Sequence, residues 1–498
     1  IDSSGNIVSL GSVTANEYIV SSSVTNISIA TNSGSVNFGD TADDIHRFTG
    51  SLDISGSRIS FDDGKQNIAI GTNSIGVSGF TGNQNIAIGE NAMLDANGSN
   101  TGYNIVIGYN AGKSFGANNV YNTILIGRQA GMNINNGDAS NTIAIGTNAG
   151  FDITSGQRNL LIGSEAGTNI STSDDNTAIG YNAMHGNDST AGTGTGRNTG
   201  MGSSVLYAIT TATGNTAIGY GAGDSITTGG YNALLGYQAG QALVGGGTNI
   251  AIGYQPLYLG TANSNAIAIG GRAGYNSQAS NNVYVGYSAG RESCAGTGQV
   301  YIGSQAGYYA TGSYNTFVGQ DAGKGGTTSA PFSSGTYNTA VGYQTLDAMT
   351  TGNTNTAVGA EAGSAVTTGY GNTYLGFRAG QSATTGYLNI GIGYNALSQQ
   401  ANGAGSQENI GIGSQALGYL TSGDYNVAIG WNAADALTES LATIAIGGGA
   451  LGAITTTGDY TIAIGYGAMG GAEIGDGNIA IGYQSMQNAN AAGFHRNT

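Results

Sequence analysis

Asn67-Ile68-Ala69-Ile70-Gly71 is followed by twenty-three more versions of itself, among them Asn176 to Gly180 (with Ile179) and Asn338 to Gly342 (with Val341). Aligned on the closing glycine, the copies recur mostly every 16 to 20 residues, with 17 the commonest step. A period of that length, held over more than four hundred residues, predicts an all-β fibrous repeat protein. The expected unit is a parallel β-roll or β-solenoid of about 24 coils, each stacked on the next. Three segments follow: a β-rich N-terminal adaptor or neck over 1–64, a repeat shaft over 65–484, and a C-terminal end over 485–498.

Each place in the repeat obeys its own rule. The residue before the glycine is a large aliphatic in all 24 copies, and two residues earlier stands Ile, Val, Leu or Thr, with a single Ala at Ala233. The residue between them is usually Ala, so the period of two marks a short strand. Neither face carries charge, so both are expected to be covered. The expectation is that the bulky face fills the coil's own core and the Ala face meets a close neighbour. Asn opens the strand in 18 of the 24 copies, where it suits a turn and, stacked coil upon coil, an amide ladder. The closing Gly suits a sharp or crowded corner. Three residues on, Ala recurs in 19 copies, followed by Gly or a bulky Leu or Met. Polar turns such as Thr227-Thr228-Gly229 complete the coil. Two aliphatics make a thin core for so many ordered residues, which points to several chains, three for a fibre, sharing one axis. At about 4.8 Å per strand the shaft would run roughly 110 Å.

Composition excludes several classes. Charged residues are 8% of the chain, against roughly 25% in ordinary soluble domains. No apolar run approaches the roughly 18 residues of a membrane helix, and the regular aliphatics exclude a disordered tract. A net charge of −16 with only three lysines argues against a nucleic-acid partner. Cys294 is the single cysteine, so no intrachain disulfide framework exists. The chain begins at Ile1 with no initiator Met or recognisable signal peptide, which reads as a processed product or a fragment.

The N-terminal segment contains short alternating runs such as Tyr18-Ile19-Val20 and Ile27-Ser28-Ile29, and a turn signal at Asp62-Asp63-Gly64 closes it. The repeat Asn-Thr-Ala-Ile-Gly-Tyr-x-Ala-Gly, as at Asn215 to Gly223, resembles the shaft repeats of bacteriophage tail fibres. It is also similar to the head repeats of the YadA-type trimeric autotransporter adhesins, which are left-handed parallel β-rolls. The resemblance covers about 85% of the chain, and Asp44 to Leu52 resembles fibre segments found beside such arrays. It implies a homotrimeric, receptor-binding fibre of a virion tail. Such a fibre is joined to other tail proteins through its N-terminal region and directed at a bacterial surface glycan or protein. The alternatives are a YadA-like adhesin at the bacterial cell surface, a polysaccharide depolymerase tailspike, and an ice-binding solenoid. Repeats of the YadA type are shorter, near fourteen residues; neither a C-terminal membrane anchor nor an endosialidase-type chaperone follows this array. The end at His495-Arg496-Asn497-Thr498 suits removal of a C-terminal segment.

No residue set stands out as catalytic, metal-binding or cofactor-binding. Ile107 to Ser114 is one residue short of a phosphate loop and is one more copy of the repeat. Gly192 to Gly196 is a flexible insertion. His46, His185 and His495 lie far apart, without zinc-ligand spacing. A trimer could gather three copies of His46 on its axis, but a turn or packing role is the expectation. The carboxylates Asp174, Asp175, Glu165 and Asp188 form no evident glycosidase pair, and the calcium-binding nonapeptide pattern is absent. The position after the strand-closing Gly is aromatic in 12 of 24 copies, including Tyr109, Tyr181, Tyr220, Tyr237, Tyr254 and Trp431. Such a column could stack sugar rings, or stack on itself and stiffen the shaft; the second is favoured. Of the three longest coils, the one from Gly319 to Gly342 is the most distinctive, holding Lys324, Pro331 and Phe332 as a candidate binding loop.

Overall fold

In a computed structural model, the residues described are 65–75, 80–96, 101–116, 120–134, 139–186, 196–293, 295–327, 332–399, 406–453, 459–471 and 475–487. The N-terminal adaptor, His46, Asp188, residues 192–195 of the glycine-rich insertion, Cys294, Pro331 and the last eleven residues lie outside them.

Twenty-four three-residue strands, from Ile68–Ile70 to Ile479–Ile481, join in one sheet. Each repeat strand pairs parallel with the next, and like positions face each other: Ile68 with Ile86, Ala69 with Ala87, Ile70 with Ile88. The same register holds at the far end, where Ala463 faces Ala480. A second, two-stranded parallel sheet pairs Ser422–Asp424 with Glu439–Leu441. No helix occurs among the described residues. The chain is an all-β parallel β-solenoid with a coil of roughly 17 residues.

The strand faces are reversed from the sequence expectation. The middle residue points inward and the flanking aliphatics point out, so that Leu234 is 1% exposed and Leu235 is 48% exposed. Ala87, Ala144, Ala217 and Ala340 are buried, whereas Ile88, Ile179 and Val341 are only half-buried. The reason is width. Inside the coil, one strand side chain shares the space with the recurrent Ala three residues past the Gly, buried in nearly every coil (Ala92, Ala111, Ala130), and with a larger return-segment side chain such as Met93, Phe115, Ile153 or Leu206. Two large aliphatics per strand would not fit.

What does fit is set pairwise. In the eight coils whose middle residue exceeds Ala (Val106, Leu125, Leu161, Leu234, Tyr284, Tyr301, Phe317, Tyr374), the residue six positions on is Gly. Where the middle residue is itself Gly (Gly200, Gly391, Gly411), that partner is Leu. A methyl on Gly167 would stand 2.7 Å from Leu161 Cδ2. In these eleven coils the choice between Gly and Leu is therefore volume compensation inside the coil.

Two further devices lock coil to coil. The expected amide ladder is present. Asn232 donates from its backbone N–H and Nδ2 to Asn215 Oδ1 at 3.0 and 2.9 Å, and from Nδ2 to the Gly246 carbonyl at 3.0 Å. Asn67 accepts from Asn85, Asn159 from Asn176, and Asn315 from Asn338 in the same way. Buried polar groups are thereby satisfied. At the corner, the closing Gly has φ of +124° at Gly71, +138° at Gly180 and +140° at Gly342, a region that side chains resist. A Cβ on Gly71 would also lie 2.7 Å from the Gly89 carbonyl. Two independent constraints thus exclude every other residue.

The pairwise packing gives a direct test by thermal unfolding. Leu161→Ala leaves a cavity and should cost about 2–5 kcal/mol; Gly167→Leu overfills and should cost about 1–3 kcal/mol. The double variant recreates the small–large pairing of Ala340 with Leu346, so it should recover at least about 1 kcal/mol relative to the sum. Strict additivity would show that the two positions do not share one space.

Candidate functional site

The outward residues of the strands form an apolar stripe along the whole sheet, two side chains wide and without a charged member. Met201, Ile218, Leu235, Ile252 and Ile269 are among its exposed residues. Seven strands place Thr on one side of it, in runs Thr177–Thr199–Thr216 and Thr316–Thr339–Thr356–Thr373. These threonines, read as buried in the sequence, point outward with the aliphatics, half-buried or exposed.

Aromatic residues flank the stripe. On the glycine side, Tyr109, Tyr181, Tyr220, Tyr237, Tyr254 and Trp431 are all exposed, as that column requires for a binding role. The structure separates them into two kinds. Tyr220, Tyr237 and Tyr254 stack at successive centroid distances of 5.4 Å with nearly parallel planes, so the inner ring presents edges and hydroxyl rather than a face. Tyr109, Tyr181 and Trp431 have no aromatic neighbour at that place in the adjoining coils, and their faces are not taken up by a stack.

A second column went unread in the sequence. The residue before the strand-opening Asn has a left-handed backbone, as at Tyr231 with φ +60°, and points out. Tyr103, Tyr231, Tyr314, Tyr337, Tyr425 and Tyr460 occupy it, 49% to 68% exposed. Tyr314 stacks on Tyr337 at 5.1 Å. The recurrent Tyr-Asn dipeptide carried the signal. Five coils have aromatics on both flanks, for example Tyr231 and Tyr237, or Tyr425 and Trp431. A third column lies five residues past the Gly. There Tyr258 stacks on Tyr275 at 4.9 Å, and the Arg291 guanidinium carbon sits 5.6 Å from the Tyr275 ring centre and 5.4 Å from that of Tyr308.

The described residues of the candidate loop make local contacts. Lys324 pairs with Asp321 at 3.2 Å, and half-buried Phe332 stacks on Tyr309 at 5.9 Å.

The charged residues form local pairs. Arg158 reaches Asp175 at 2.6 Å and Asp174 at 3.3 Å, in an open cavity of about 350 Å³ also lined by Thr172, Gly196, Arg197 and Thr213. The hydrogen bond from Arg158 holds the Asp175 carboxyl below its ordinary range, the wrong direction for a proton donor. Glu165 lies 3.9 Å from His185. In the coils after Gly319, burial first and then the charges of Asp321 and Glu361 push the Asp347 carboxyl up to about 6. Glu361 is held by Arg378 at 2.8 Å. Among the described residues no group of three His, Cys, Asp or Glu is placed to hold a metal, and no helix is long and apolar enough to cross a membrane.

Comparison with protein-family models, with curated proteins and with solved structures finds no match to this chain.

Asp347 predicts a pH dependence whose sign is fixed. Its folded pKa exceeds that of a free carboxyl, about 3.9, so the native state binds the proton more tightly. Its stabilising contribution is full below about pH 4 and fades as pH rises through about 6. Melting temperatures between pH 4 and 6.5 should fall less steeply in Asp347→Asn than in the parent. Parallel slopes would assign the titration to other groups.

Proposed function

We propose that this chain is a structural and receptor-binding fibre of a virion tail. Three copies wind side by side and display aromatic columns towards a bacterial surface glycan or protein. One observation carries the reading: an uncharged stripe, aliphatic in all 24 strands along its glycine side, runs on the outside of a coil that has already filled its own interior. Burial of such a face is the main available driving force for association. At about 4.8 Å per strand and about 7 Å across two outward side chains, it covers on the order of 800 Å², the amount each partner buries in a standard stable interface. Flanking aromatics at the edge of such a contact suit a polar, wet rim that holds ligands. Three weak sites carried on one rod gain avidity at a surface that repeats its receptor. Other tail proteins would join through the N-terminal region. A YadA-like adhesin on a bacterial cell surface uses the same physics with a different anchor.

A second reading has one observation behind it. The outward Thr runs lie in register on one face of the parallel sheet, the arrangement expected of an ice-binding face. The aliphatics that interrupt them make the fibre the better fit. Thermal hysteresis by the intact chain would install this reading instead.

Light scattering of the full chain should give three times 49.5 kDa. The paired substitutions Ile252→Glu and Ile269→Glu, which put charge in the stripe without touching the core, should reduce it towards one copy. A parent chain that is a monomer would sink the shared-axis fibre, and a mass of two copies would replace three-fold by two-fold association. Labelled trimer should adhere to bacterial cells of a susceptible strain, and release of reducing sugars from their capsule would convert the proposal to a depolymerase.

A further inference from the structure

The glycine-side column contains Gly in only two of its 24 places, Gly271 and Gly448, and both are bracketed by aromatics in the coils before and after. Gly271 lies between Tyr254 and Tyr287, Gly448 between Trp431 and Tyr466. In the unbroken part of the column each coil contributes one ring at a 5.4 Å step. A glycine there removes one ring and leaves its space between two others.

The third column shows what such a space accommodates. Tyr275 and Tyr308 are two coils apart, and the planar Arg291 guanidinium fills the gap, 5.6 and 5.4 Å from their ring centres. At Gly271 the chain partly fills its own gap, since the next residue, Arg272, brings its guanidinium carbon to 5.9 Å from the Tyr254 ring. At Gly448 no such contact is made among the described residues. The next residue is Gly449, where an added Cβ would meet no atom within 4 Å. The Tyr466 ring borders the place, 3.3 Å from where a Gly448 Cβ would stand, and the Trp431 carbonyl is 3.8 Å from it. Trp431 and Tyr466 are 59% and 55% exposed.

We infer that the gap at Gly448 is a binding slot for one neutral pyranose ring of a surface glycan, held between Trp431 and Tyr466. A pyranose offers two faces of C–H groups to the two aromatics and keeps its hydroxyls at the rim, in water. Charge selects neutral sugars. From residue 379 to residue 495 the sequence has no Lys or Arg, while Asp435, Glu439, Asp459 and Asp476 lie in the neighbouring coils, so an acidic sugar would meet only repulsion. The inference rests on the receptor-binding reading and names the sugar class and its place.

Trp431 is the one tryptophan of the chain, so its emission reports on the slot alone. The full chain is titrated with maltohexaose, cellohexaose, chitohexaose and mannohexaose, with oligogalacturonate as the acidic control. At least one neutral member should shift the emission saturably. Gly448→Tyr, which restores the missing ring at a place where half the copies carry an aromatic, should weaken that response at least tenfold without lowering the melting temperature. Gly271→Tyr should leave it unchanged. No shift with any neutral member up to ~10 mM, where binding is too weak to matter even with avidity, overturns the inference. So does an undiminished response in Gly448→Tyr, or a response to the acidic control alone. Adhesion of labelled fibre to bacteria separates the two levels: cells bound equally by parent and Gly448→Tyr leave the fibre reading standing and remove the slot. A sugar response without adhesion to any bacterium does the reverse.

Discussion

The structure depends on how little a coil can enclose. With three-residue strands and a turn of about seventeen residues, the interior accepts one side chain from each strand, one Ala methyl and one larger side chain from the return segment. Everything else follows from that limit. Large middle residues require a glycine opposite, glycine requires a leucine, and the aliphatics that flank the strand centre are forced to the surface. A globular protein hides its largest hydrophobics because it has depth. This one has little, so the aliphatics on either side of each strand centre become its exterior.

The second dependence is on repetition in register. Because each residue lies against its own counterpart in the next coil, a chemical property at one place becomes a line along the whole sheet. Asparagines become a ladder in which each amide both donates and accepts. Glycines become a seam of close backbone contact, and tyrosines become stacks. Such lines stabilise through many identical small terms rather than through a deep core, which agrees with the nearest-neighbour energetics of solenoids.

Much of this was legible in the sequence, and the part that was not has a physical explanation. The period gave the solenoid, Asn at the strand start gave the ladder, and Gly at its end gave the corner. The direction of the strand was misread, because alternation by two shows that two faces differ but not which one is enclosed. The pairing of Leu161 with Gly167, or Gly200 with Leu206, contained the answer: size compensation exists only where two residues share one closed space, so the small-residue face had to be inside. The tyrosine column before Asn was not legible as a surface column, because Tyr fills that place in only six of 24 coils and its outward direction is set by a left-handed backbone that no alternation signals. The Arg291 sandwich could not be foreseen, since it depends on rings that meet only after the coils are stacked.

The in-register stacking has a consequence for how such a chain changes over generations. Every coil presents the same edge to the coil above as it receives from the coil below, so a whole unit is interchangeable with its neighbour. Loss or duplication of one unit would preserve the parallel register of the strands and the glycine corner. It would change length by about 4.8 Å at a time. Reach is therefore inherited as a count, adjustable in equal increments and separable from the chemistry displayed along the rod.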